Sequence, residues 1–299
     1  MSIRIGHLSD IHVPIDFRPT ARDLMGKRLT GYLNFRWRRQ QEYDVTVLQA
    51  AVAALIKEQP DAVIISGDLT NLAYHQEFER AHALLAPLSD ANIPWFVIPG
   101  NHDRYLSRAI DGHMERIFAN QLGEALRTDD AYPWIDTRTG ITLIGLNSAV
   151  PNAPFQAWGR VSEEQISAVY RAKEEILRAQ QPVVIAVHHH LGKAPHKHRD
   201  HHRNLRNSDQ VLQLAKDLNA ALVVHGHNHF LDIRDMDGVR VFAASSGISN
   251  QQGNHRRAGQ VAIHTIHPDQ PPTHHVAFWQ GDGFGPWQSI DESNLPDVL

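Results

Sequence analysis

The chain has 299 residues, 42% of them hydrophobic, enough to bury a large core whether in one domain or two. A formal net charge of −4 excludes a protein that coats nucleic acid or an anionic membrane through its overall charge, so any electrostatic targeting must be local. There is no cysteine, which excludes disulfides, thiolate metal sites and cysteine nucleophiles, and with 21 histidines a transition-metal site here must be built from imidazole and carboxylate.

The first residues lack an apolar core of signal-peptide length, and no later stretch offers the roughly eighteen uncharged apolar residues of a membrane span. A cytoplasmic location is the expectation. Residues 3–8 read as a first strand. The period of Val47, Leu48, Ala51, Val52 and Leu55 predicts a helix over 44–59, ended by Pro60. The β-branched run 61–66, bounded by Pro60 and Gly67, reads as a buried second strand. The alternation continues with a helix over 74–88, strands over 95–98 and 141–146, and a helix over 162–179 opened by a Ser-Glu-Glu-Gln capping box. A strand over 183–187, a helix over 208–219 and a strand over 221–224 follow. Strands alternating with helices predict an α/β layered fold. After His229 the pattern turns to β: 230–236 and 239–243 flank Asp237-Gly238, a favoured hairpin turn, and strands follow over 261–267 and 274–279. The C-terminal third is expected to supply one sheet of a sandwich. A single domain is expected over 1–280, with a polar Gly- and Pro-containing tail over 281–299.

Every cluster of metal-competent residues falls just after one of these strands, where an α/β sheet presents its site. The clusters are Asp10-Ile-His12, Gly67-Asp68, Gly100-Asn101-His102-Asp103, His188 and Gly226-His227-Asn228-His229. Asp-x-His and His-x-His place two donors on one face of extended backbone, so each pair can grip a cation. Glycine ahead of Asp68, Asn101 and His227 fits a tight turn with close backbone approach. His188-His189-His190 leaves the register open; His188 is chosen because it directly follows the apolar strand, with His189 set toward the substrate. The stretch 196–202 (His-Lys-His-Arg-Asp-His-His) reads as a solvated basic loop, with a substrate loop or accessory metal site as alternatives.

In order and spacing these blocks resemble the calcineurin-like metallophosphoesterases, whose motif runs Asp-x-His, Gly-Asp, Gly-Asn-His-Asp/Glu, His, Gly-His-x-His. The resemblance covers about residues 3–230 and includes every block. It implies a four-layer α/β/β/α sandwich with mixed sheets. It also implies one metal on Asp10, His12, Asp68 and His229, and another on Asp68, Asn101, His188 and His227, with Asp68 as bridge. A hydroxide between the metals would attack phosphorus in line, so that no protein nucleophile is required. His102 would stabilise the transition state or protonate the leaving oxygen, and Asp103 would orient it. Oxygen and imidazole donors accept manganese, iron, zinc and cobalt, with manganese or iron expected.

Substrate is read from the segment 17–40, which lies outside the motif. It carries Arg18, Arg22, Lys27, Arg28, Arg36, Arg38 and Arg39 against a single Asp23, interleaved with Phe17, Tyr32, Phe35 and Trp37. Leaving the strand end beside Asp10 and His12, it is expected to line the metal cleft, with Arg36, Trp37 and Arg38 toward the substrate. Such composition suits anionic headgroups and peripheral contact with the inner membrane surface. Nucleic-acid contact and a plain solvated loop remain alternatives. The expectation is a phosphodiesterase acting on glycerophosphodiesters or glycerophospholipids, with cyclic-nucleotide hydrolysis as the runner-up and a metal-binding scaffold as the non-enzymatic alternative.

Overall fold

The computed structural model describes residues 2–14, 32, 42–104, 112–153, 156–192, 202–268 and 270–298. Strand β1 (Ile3–Leu8) leads to helix α1 (Val45–Glu58), β2 (Ala62–Ile65), α2 (His75–Leu85), the short α3 (Pro87–Asp90) and β3 (Trp95–Val97). Next come α4 (His113–Ile117), β4 (Glu124–Ala125), β5 (Trp134–Asp136), β6 (Thr142–Gly145), α5 (Glu163–Arg178), β7 (Val183–Ala186), α6 (Ser208–Asp217) and β8 (Ala220–His225). The chain finishes with β9 (Asp232–Met236), β10 (Val239–Ala243), β11 (Gln260–Ile266), β12 (Thr273–Phe278) and β13 (Gln288–Ile290).

Among the described residues the strands form two mixed sheets, ordered β13-β12-β11-β1-β2-β3 and β4-β5-β6-β7-β8-β10-β9. Within the first sheet β1, β2 and β3 are parallel, and within the second so are β6, β7, β8 and β10. Parallel strands buried on both faces read as continuous apolar runs, which is why Ala62–Ile65 and Val183–Ala186 carry no polar residue. The alternating faces separate three layers of core. Ile5, Ile64 and Phe96 of the first sheet meet Trp134, Leu143, Val184, Leu222 and Phe242 of the second, forming the core between the sheets. On the far side of the first sheet, Val63, Ile65 and Val97 pack against Leu48, Leu55, Phe78 and Leu85 of α1 and α2. On the far side of the second, Ile144, Ile185 and Val223 pack against Val169 and Ile176 of α5 and Leu214 of α6. Helix, sheet, sheet, helix is the four-layer architecture expected.

Two expectations change. The C-terminal strands do not build one sheet together: the β9–β10 hairpin joins the second sheet, while β11, antiparallel to β1, carries β12 and β13 into the first. The hairpin turn itself is as read, with Asp237 and Gly238 both at positive φ (53° and 84°), the conformation of a type I′ turn. The segment from Gly281 is not simply a tail. It contains β13, whose Ile290 is buried in the core between the sheets. At α5, Ser162 caps the Gln165 amide as expected, but the reciprocal half of the capping box is replaced: the Gln165 side chain accepts from Asn147 N (2.9 Å) and donates to Asn147 O (2.8 Å). No helix of the described residues is long and apolar enough to cross a membrane.

Candidate metal centre

The parallel strands deliver the candidate ligands to one end of the sandwich. Asp10 and His12 follow β1, Asp68 follows β2, Asn101 follows β3, His188 follows β7, and His227 and His229 follow β8. Asp10, His12, Asp68, His227 and His229 all take positive φ, between 32° and 73°. Non-glycine residues adopt this conformation at a cost, and such strain gathers where a site dictates the backbone.

His12 donates Nδ1–H to the Thr70 carbonyl at 3.1 Å, because a carbonyl only accepts; its Nε2 therefore carries the lone pair. That nitrogen faces His229 Nε2 at 3.0 Å, Asp68 Oδ2 at 3.6 Å and Asp10 Oδ1 at 3.8 Å. Asp10 Oδ1, also 3.2 Å from His229 Nε2, is buried without a hydrogen-bond partner, whereas Oδ2 accepts from Ser9 Oγ and from the His227 amide. On the other side, His188 donates Nδ1–H to the Ser66 carbonyl at 2.8 Å. Its Nε2 then faces Asp68 Oδ2 at 3.4 Å and Asn101 Oδ1 at 3.3 Å. Both ring nitrogens of His227 are buried without a hydrogen-bond partner.

Asp10, His12 and His229 form one group that could hold a cation, and Asp68, His188 and His227 form another. His12, Asp68 and His102 satisfy the same distance condition, so Asp68 touches both sides of the centre. Imidazole nitrogens and carboxylate oxygens that converge at these spacings could hold cations. The donor set of nitrogen and oxygen without sulfur suits divalent first-row metals. Electrostatics agrees: burial works to raise the Asp68 carboxyl, yet the His188 and His102 imidazoles hold it well below the usual carboxylate range. Burial likewise opposes protonation of His188, but the Asp68 carboxylate lifts it to about 9.

His102 lies half-buried at the edge of this centre, its ring 4.9 Å from that of His12 and perpendicular to it. Asp103, expected to orient His102, does not meet its ring. The Asp103 carboxylate instead accepts the amides of Leu69, Thr70 and Gly100, and the His102 Nδ1–H is taken by the Asn71 carbonyl at 2.8 Å. His189, expected toward the substrate, is wholly buried behind His227, their ring centroids 4.5 Å apart, and is bound to Ser148 Oγ at 2.8 Å. Arg36, Trp37 and Arg38 lie outside the described residues, as do most of the segment 17–40 and residues 196–201 of the histidine-rich stretch. Residue type gives no sign that the backbone carbonyls of Thr70, Asn71 and Ser66 take the Nδ1–H of His12, His102 and His188.

The model of the calcineurin-like phosphoesterase family matches residues 3–231. The chain belongs to that family. That family uses divalent metals, and the clusters described above could bind them. A Psychrobacter protein named a probable cyclic nucleotide phosphodiesterase is 26% identical over 187 residues, covering 62% of this chain and 52% of that protein. The chain thus spans about half the length of that relative. An Arcobacter nitrofigilis protein named a probable glycerophosphodiester phosphodiesterase is 24% identical over 235 residues, 75% of each chain. A dimetal phosphatase from Danio rerio shares the fold, with a TM-score of 0.58 at 15% identity over 97% of this calcineurin-like phosphoesterase and 99% of that chain.

Proposed function

We propose that this phosphoesterase hydrolyses small phosphodiesters with two divalent cations, one on Asp10, His12, Asp68 and His229, the other on Asp68, Asn101, His188 and His227. The observation that carries this is the single oxygen Asp68 Oδ2, which lies 3.6 Å from His12 Nε2 and 3.4 Å from His188 Nε2 and so belongs to both donor sets. Two cations held there would neutralise charge on the phosphoryl oxygens and acidify the attacking water. Manganese or iron suits these ligands. Water and a phosphodiester give a phosphomonoester and an alcohol, and the leaving alkoxide needs a proton. In this reading His102, at the edge of the centre, would give it. Asn71 engages Nδ1, so any transfer to the leaving oxygen, or contact with the phosphoryl group, runs through Nε2.

For the substrate, glycerophosphodiesters or the headgroups of glycerophospholipids are the first reading. It is supported by the basic, aromatic composition of 17–40 and by a relative named for that class. A cyclic nucleotide is the second, supported by the Psychrobacter relative's name. Peripheral contact with a membrane surface belongs to the first reading alone. Turnover of glycerophosphocholine, phosphatidylcholine micelles, cyclic AMP and bis(p-nitrophenyl) phosphate by manganese- or iron-loaded protein separates them. The first reading expects phosphocholine esters to be cleaved and cyclic AMP to be poor; turnover confined to cyclic AMP would reverse the assignment.

A further inference from the structure

The loop leaving Asp68 is held by two buried carboxylates. Asp103 takes the amides of Leu69 (3.1 Å) and Thr70 (2.9 Å), and Glu77 takes those of Asn71 (3.1 Å), Leu72 (3.0 Å) and Tyr74 (3.0 Å). The intervening Ala73, at φ 57°, donates to Thr70 Oγ1. Glu77 stands three residues after Tyr74, the N-cap of α2, where a glutamate ordinarily returns to the cap amide from a solvated position. Here it is 1% exposed and binds two further amides upstream of the cap. Burial pushes its carboxyl up to about 7 even against those three donors, so an ionisable group is retained where it is hard to keep charged.

Of the residues that Glu77 holds, Asn71 is the one that reaches the centre. The Asn71 carbonyl accepts His102 Nδ1–H at 2.8 Å, and the Asn71 side chain donates to the carbonyls of His12 (2.7 Å) and Val13 (3.0 Å). We propose that Glu77 is a positioning residue for the reaction: by clamping the 71–74 turn it fixes the carbonyl that orients the His102 ring toward the substrate. Among the described residues Glu77 hydrogen-bonds none of the expected ligands. The proposal rests on the phosphodiesterase reading, in which His102 meets the reacting ester.

Glu77→Gln keeps the shape but turns an amide N–H₂ toward backbone N–H donors, so the turn loses at least one bond. The test is a double-mutant cycle of Glu77→Gln with His102→Ala, reading kcat and KM on bis(p-nitrophenyl) phosphate at full metal loading. Glu77→Gln alone is expected to lower kcat about tenfold or more with KM little changed, and to have almost no further effect once His102 is alanine. Glu77→Asp, which keeps the charge on a shorter stem, should fall between the two and serves if Glu77→Gln fails to fold. An activity-independent readout is the imidazole N–H proton resonance that disappears in His102→Ala: slowly exchanging in the wild type, it should exchange rapidly in Glu77→Gln. Equal losses in both backgrounds, or an unchanged His102 resonance, would overturn the proposal while leaving the phosphodiesterase reading intact. A metal-loaded wild type that cleaves no ester would overturn both.

Discussion

His12 and His229 stand 217 residues apart in the chain, yet their Nε2 atoms face each other at 3.0 Å. With His12 Nδ1–H committed to Thr70 O, a neutral His12 can only accept at this contact, from a protonated His229 Nε2. The same two rings join Asp10 in a group that could hold a cation, which would take both lone pairs at once. Chelator-treated protein should therefore gain thermal stability on adding manganese or zinc. Ligand at about 100 times its Kd contributes about 2.7 kcal/mol, and His229→Ala should remove most of that gain. A melting temperature indifferent to metal would contradict it.

Gly226 approaches Ser9 and Asp10 so closely that an added Cβ would collide with Ser9 Oγ and Asp10 Oδ2. Asp10 Oδ2 is the acceptor for the His227 amide, so the collision reaches two expected ligands at once. Gly226→Ala should leave the protein folded by circular dichroism but retain less than half of the wild-type metal after desalting, measured by elemental analysis. Full retention would mean that the Ser9–Asp10–His227 arrangement does not shape the centre.

Much of this was legible in the sequence, for identifiable reasons. Strand β1 falls where the apolar run placed it, at Ile3–Leu8, and each expected ligand follows a strand whose own residues announce it. Pairing was not legible. Local pattern marks 239–243 and 261–267 alike as strands, but β10 pairs with β8, whereas β11 pairs with β1, more than two hundred residues away. Gln165 read as half of a capping box because that spacing is local, whereas Asn147, which captures it, is a tertiary neighbour. Glu77 read as one more helix residue, since nothing in its spacing reveals that it is buried.

Between the sheets a chain of imidazoles runs from His274 to His264 (3.0 Å) to His7 (3.2 Å) and on to Ser66 Oγ (2.9 Å), packed around Phe242. Burial lowers His7 and His274 to about 3 from an ordinary 6.5. The unfolded chain therefore binds more protons between those values, and stability falls as pH drops from about 6.5 toward 3. At roughly 1.4 kcal/mol per pH unit, His274 alone accounts for about 2 kcal/mol between pH 6.5 and 5. Urea midpoints should fall over this interval, and less steeply in His274→Leu. Parallel falls in both proteins would show that these imidazoles are not the acid-sensitive groups.

The most direct test of the central claim is the metal content of the purified, manganese-reconstituted protein beside its hydrolysis of bis(p-nitrophenyl) phosphate, for wild type and Asp68→Asn. Because Asp68 belongs to both donor sets, the wild type should hold two ions per chain and turn over the diester. The variant should remain folded, lose at least one ion and fall in kcat by about 100-fold or more. A variant that keeps both ions and its turnover would contradict the assignment of Asp68 as the bridge on which the two-cation site depends.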